Sequence, residues 1–164
     1  MSAIASIDHA MYGVSQLFLV PVLVAISAAF AYAFVALGGF VRQAWQRHRG
    51  LPAGFEMRLW REREPALSLS HLEALALRRL ELVRLVTRVA PMLGLVATMI
   101  PMGPALKALA DGQMAEVSRS LMVAFSAVIL ALIAAAITYA VAQVRRRWYA
   151  ADMLSLASDE ELMS

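Results

Sequence analysis

The sequence predicts an all-α membrane protein with three transmembrane helices, on three observations. No Asp, Glu, Lys, Arg or His lies between residues 10 and 41, 89 and 106, or 120 and 144. The chain is 61% hydrophobic, where soluble domains average about 45–50%. The basic residues gather on one side of those segments, as counted below. About 20 apolar residues at 1.5 Å rise cross a hydrocarbon core of roughly 30 Å, so each segment reaches across a bilayer. A chain of 164 residues leaves room for one membrane domain over 1–164, with spans at about 13–41, 89–107 and 119–144. A cytoplasmic segment, 42–88, separates the first two.

The first span is rich in Ala, Val and Phe, with Pro21 in its outer half as a candidate kink. Asp8 and His9 precede it, and no basic stretch does, so it reads as a retained helix rather than a cleaved signal. Residues 42–66 are polar and punctuated by Gly50, Pro52, Gly54 and Pro65, with a short helical or interfacial piece expected around Trp60. Ser68 or Ser70 starts the next helix, and Ser70-His71-Leu72-Glu73 fits a capping box. Leu69, Leu72, Leu75, Leu80 and Val83 then recur at helical spacing. No breaker intervenes before Pro91, so one long helix is expected to start in the cytoplasm and enter the membrane.

The second span carries Pro91, Pro101 and Pro104 with Gly94 and Gly103. Each internal proline removes a backbone hydrogen bond, and in lipid such helices persist only where neighbours satisfy the freed groups. Gly94, Ala97, Thr98 and Pro101 fall on one face and permit close helix approach. Asp111-Gly112 signals the turn of the next connection. The third span shows a small-residue stripe, Ser120, Ala124, Ala127, Ala131, Ala134 and Thr138, at spacings of three and four. Arg145-Arg146-Arg147-Trp148 is expected to stop it, and the acidic tail Asp159-Glu160-Glu161 to fray.

Counting Lys and Arg sets the orientation. Ten arginines lie in 42–88 and three at 145–147, so thirteen of the fifteen basic residues fall on one side of a three-span chain. By the positive-inside rule that side is the cytoplasm, which puts the N-terminus outside and the C-terminus inside. Trp45, Trp148 and Tyr149 stand just beyond span ends, where aromatic belts form.

The same inventory excludes other function classes. Cysteine is absent, so no disulfide, thiol nucleophile or Cys-based metal site is available. His9, His48 and His71 are isolated, and no Ser/His/Asp set or phosphate loop appears. No enzyme activity, cofactor or metal is expected. The net charge of +3 is explained by arginines beside the spans and does not call for nucleic acid.

The run Ala90-Pro91-Met92-Leu93-Gly94-Leu95-Val96-Ala97-Thr98 resembles the A-P-L-L-G-L-L-G-T signature of the MotA/TolQ/ExbB proton-channel family. Ile100-Pro101-Met102-Gly103-Pro104-Ala105-Leu106 and Arg145-Arg146-Arg147-Trp148-Tyr149 are similar to a compact branch of it, so the resemblance covers roughly 70–150. It implies an inner-membrane homopentamer, in the manner of ExbB or TolQ. The pentamer would clasp a small single-span partner like ExbD, TolR or MotB, which supplies a membrane Asp. Ion flow, of protons above all, would drive mechanical work on an envelope partner.

Thr98 matches the family's pore threonine in the second span. Its hydroxyl either faces the partner Asp or bonds its own helix one turn back. Ser126 is the best hydroxyl for the second pore position in the third span, with a packing serine as its other reading; other registers of the resemblance put Ala124 or Val128 there. Pro91, Gly94 and Pro101 read as kink and packing positions. Ala97 stands where the family has Gly, and the third span has no threonine at the matching place. A non-conducting membrane scaffold that assembles or anchors a partner complex is therefore the rival reading.

Overall fold

In the computed structural model, residues 2–50, 59–60 and 69–163 are described. The elements are α1 (Ser2–His48), α2 (Leu69–Ala110) and α3 (Met114–Met163). All three are long and apolar enough to cross a membrane. Each helix also outruns a bilayer. With 47, 42 and 50 residues, they measure about 60–75 Å at 1.5 Å per residue.

Three sequence expectations change here. Residues 42–48 continue α1 rather than opening an irregular stretch. The arginines at 145–147 do not stop α3, which continues to Met163 and includes Asp159-Glu160-Glu161. The physical reason is the same in both places. Charge marks where a segment can leave lipid, whereas a helix ends at Gly, Pro or a capping residue, and no Gly or Pro occurs after residue 112. α2 begins at Leu69, next to both candidate cap serines, and runs unbroken into the charge-free segment. The capping-box side chains Ser70 and Glu73, and most of 51–68, lie outside the described residues.

Two glycines end helices. Gly50 follows α1 at φ +66° and donates to Arg47 O at 3.0 Å. Gly112 has φ +72°. Its N–H donates to Leu109 O at 3.1 Å, while Gln113 N–H donates to Ala108 O at 2.8 Å. This pair of bonds is a Schellman cap, which needs a left-handed residue and so favours Gly. Only Asp111, Gly112 and Gln113 separate α2 from α3.

The buried face of α3 runs through Ala124, Ala127, Ala131, Ala134, Thr138 and Val141, the small-residue stripe and its continuation. The buried face of α2 runs through Ala76, Leu80, Val83, Ala90, Gly94, Ala97 and Pro101. Alternating steps of three and four average 3.5 residues, the period of left-handed helix packing.

The chain divides into two compact units. The first comprises Met1–Tyr32 and Arg88–Ala135. Its core is Val22 and Ile26 of α1, Ala97 of α2, and Ala127 and Ala131 of α3. A Cβ at Gly94 would stand 3.0 Å from Ala131 Cβ and 3.2 Å from Val128 Cγ2, so α2 and α3 approach so closely there that any side chain at 94 would push its neighbours back by a few tenths of an ångström.

The second comprises Ala33–Thr87 and Ala136–Ser164. Ala76, Leu80 and Tyr149 form its core, with Trp60 and Leu156 packed against them. Arg47 of α1 and Asp152 of α3 form a largely buried ion pair. Arg47 also lies 4.9 Å from the ring centroid of Trp148, which stacks on Phe40 at 5.2 Å. Trp45 is exposed, as a belt residue would be, but Tyr149 is a core residue.

Candidate functional site

The chemistry available in the charge-free segments is narrow. Between 89 and 106 and between 120 and 144 the chain offers hydroxyls, backbone carbonyls and Gln143, but no acid or base. Any site there works by hydrogen bonding and shape.

α2 brings Thr98 to the edge of its buried face, half-exposed and flanked by the exposed Leu95 and Met102. Its hydroxyl donates to Leu95 O at 2.7 Å. A hydroxyl has one proton and two lone pairs. With the proton committed to Leu95, Oγ1 presents only acceptor capacity to whatever lies beyond the helix.

Ser126 is exposed on α3, among the exposed Met122, Ile129 and Ile133. No hydrogen bond joins it to Thr98 among the described residues. The two hydroxyls are separate positions on two helices, each beside apolar side chains that the single chain leaves uncovered. On α2 these recur at Leu82, Leu85, Val89, Met92, Val96, Met99 and Leu106, and on α3 at Met122, Phe125, Ile129 and Leu132.

The proline and glycine positions set the frame. Gly94 and Pro101 are buried and Pro91 is half-buried. α2 remains helical through Pro91, Pro101 and Pro104. Pro101 removes the normal donor to Ala97 O, and Pro104 the donor to Ile100 O. Gln16 of α1 donates its amide to Ile100 O at 3.4 Å.

A second polar locus lies in the other unit, and its Thr87, Gln43 and Asp152 are not among the residues that the sequence reading names. Thr87 donates to Val83 O at 2.8 Å, and its oxygen stands 3.0 Å from that of the fully buried Thr138. The Arg47–Asp152 pair belongs there too. Gln43 is 5% exposed, and its amide atoms and Arg145 Nε are buried with no hydrogen-bond partner among the described residues. A usable signal existed for Asp152. It is the sole acid between Glu116 and Asp159, three and four residues after Tyr149 and Trp148, on one helix face. Its pairing with a residue 105 positions away left no local trace.

Among the described residues, no group of three or more His, Cys, Asp or Glu gathers in a metal-binding arrangement.

A family model described as the MotA/TolQ/ExbB proton channel family matches residues 40–157. The match extends beyond the resemblance on both sides and takes in the end of α1, all of α2 and nearly all of α3. No curated protein and no solved structure matches the chain. With well over half its length matched, the chain belongs to the MotA/TolQ/ExbB proton channel family.

Proposed function

We propose that this chain is the channel subunit of an ion-driven motor complex in the inner membrane, converting ion-motive force, most simply that of protons, into mechanical work on an envelope partner. Five copies surround a small single-span protein that contributes a membrane Asp. The N-terminus faces outward. The charged residues 42–88, the start of α2 and the end of α3 face the cytoplasm. Thirteen of fifteen Lys and Arg on one side support that orientation.

The observation that carries this reading is the chemistry of Thr98. Its hydroxyl proton is held by Leu95 O, so its oxygen accepts and does not donate. It sits on a helix with no titratable group from 89 to 106. Intramembrane acids and bases are the usual carriers of protons, so a carrier must come from another chain or from water. A carboxyl of the partner fits Thr98 when protonated, as a donor to Oγ1, and loses that bond when ionised. Thr98 thereby favours the neutral form within the membrane, and Ser126 offers a second hydroxyl on the neighbouring helix. About 2.3 kcal/mol per charge per 100 mV is available to drive transfer.

The intrahelical bond of Thr98 also suits a rival, the non-conducting scaffold. Mass spectrometry of the intact complex, co-expressed with its neighbouring single-span protein, separates the architectures. Five copies with two of the partner support the motor subunit. A monomer or dimer without such a partner leaves the scaffold ahead. Within an intact complex, Thr98→Val removes both lone pairs at constant shape. Ion flux into liposomes then falls at least tenfold for a channel, and unchanged flux counts against the pore role. Because the chain lacks cysteine, Ser2→Cys and Ser164→Cys test orientation by labelling from each side of the membrane.

A further inference from the structure

Three prolines in one membrane-spanning helix raise the question of what replaces the missing donors. Pro104 has no N–H, so the carbonyl of Ile100, four residues earlier, lacks its helical partner. An unpaired carbonyl in hydrocarbon costs several kcal/mol. The carbonyl is met from another helix. Gln16 Nε2 of α1 lies 3.4 Å from Ile100 O, across 84 residues of sequence. Only the amide nitrogen can donate to a carbonyl, so chemistry fixes which way the amide points.

Gln16 is itself conspicuous. It is the sole amide between residues 10 and 41. The two serines of that stretch spend their hydroxyls on their own helix, Ser15 on Met11 O and Ser27 on Leu23 O, both at 2.9 Å. The Gln16 side chain instead reaches α2, at the one carbonyl that Pro104 leaves open.

We propose that Gln16 is a positioning residue that supplies the hydrogen bond Pro104 cannot make, and so holds the outer end of α2, two residues from Thr98, against α1. The two residues form one device. Gln16 matters because position 104 is proline, and proline is tolerated at 104 because residue 16 is Gln. The inference concerns the helix pair and does not depend on what the complex conducts.

Ile100-Pro101 is the sole Ile-Pro pair in the chain. Labelling Ile with ¹³C at the carbonyl and Pro with ¹⁵N therefore isolates one signal, the Ile100 carbonyl, in the full chain in lipid bilayers. Gln16→Leu is expected to move that signal upfield, as a lost hydrogen bond does. In a Pro104→Ala background the backbone N–H at 104 restores the helical bond, and Gln16→Leu leaves the signal in place. The folding equilibrium follows the same pattern. Gln16→Leu lowers it about threefold in the native background, the size of an average interhelical hydrogen bond in a membrane, and does not lower it in the Pro104→Ala background. Should the leucine variant fail to fold, Gln16→Asn shortens the reach while keeping the amide, and its carbonyl signal moves likewise. An unmoved signal in the native background overturns the proposal. Equal movement in both backgrounds overturns it too, because Gln16 would then act by packing alone.

Discussion

Ala97, Ala127 and Ala131 close around Val22 and Ile26 in the unit that holds most of the charge-free sequence, whereas Leu80, Tyr149 and the Arg47–Asp152 pair hold the unit rich in arginine. The contrast follows from what each helix leaves behind when it packs. In hydrocarbon, a leucine gains little by moving from lipid to a neighbouring helix, so stability comes from close approach, which small residues permit. Next to water, burying a large side chain is worth about 1.5–3 kcal/mol, and a charge pair is tolerated if both members are enclosed together. One helix, α2, changes strategy along its length. Its buried face passes from Leu80 and Val83 to Ala90, Gly94 and Ala97.

The largest test of this contrast is Arg47→Met. It takes the guanidinium away from Asp152, whose side chain is 6% exposed, and removing one member of a buried pair costs about 3–5 kcal/mol. Thermal unfolding of the detergent-solubilised chain should show that loss, and Arg47→Met with Asp152→Leu should recover most of it. A double variant no better than the single one would mean that the charges are not the point of the contact.

Gly94→Leu probes the other unit. Even a Cβ there meets Ala131 at 3.0 Å, so the larger side chain must separate α2 from α3. Overpacking of this kind costs about 1–3 kcal/mol, and size-exclusion chromatography should show a shift to misassembled species. The matching change on the exposed side of the same helix, Met99→Leu, should leave the folding of the single chain within about 0.5 kcal/mol of the original.

Thr87→Val is smaller than Gly94→Leu. It keeps the shape and removes a hydroxyl that faces Thr138 at 3.0 Å. Interhelical hydrogen bonds in membranes average about 0.6 kcal/mol, and equilibrium unfolding should return a value of that order. Smallest of all is Trp45→Ala. Trp45 is exposed, with Arg49 over its ring at 3.8 Å, so stability should change by no more than about 0.5 kcal/mol. If Trp45→Ala proved as costly as Arg47→Met, exposure in the single chain would be a poor guide to which residues hold this unit.

Much of the packing was legible in the sequence. The stripe from Ala124 to Thr138 is the buried face of α3, because in a helix with no charged alternatives small residues at steps of three and four leave one place for a neighbour to approach. Asp111-Gly112 marked the turn for a similarly local reason. The extension of α3 past Arg147 was not legible. The arginines carry a strong signal about lipid and a weak one about where the backbone helix ends. Tyr149 has the sequence position of a belt aromatic, but the helix continues past it and packs the ring with Ala76 and Leu80. The Gln16–Ile100 contact needed two facts far apart in sequence, an amide in one span and a missing N–H in another. Thr98 and Ser126 could be nominated by resemblance, but their roles depend on atoms supplied by another chain.

The three-residue turn at Asp111, Gly112 and Gln113 has a consequence for motion. At about 3.5 Å per residue, a connection that short keeps the joined ends of α2 and α3 within roughly 14 Å even when fully stretched. Its Schellman cap stiffens it further. Kinematically the two helices are a single hairpin rather than two staves, free to tilt or slide together and unable to travel apart at that end. Any displacement of one helix at that end is carried by the other.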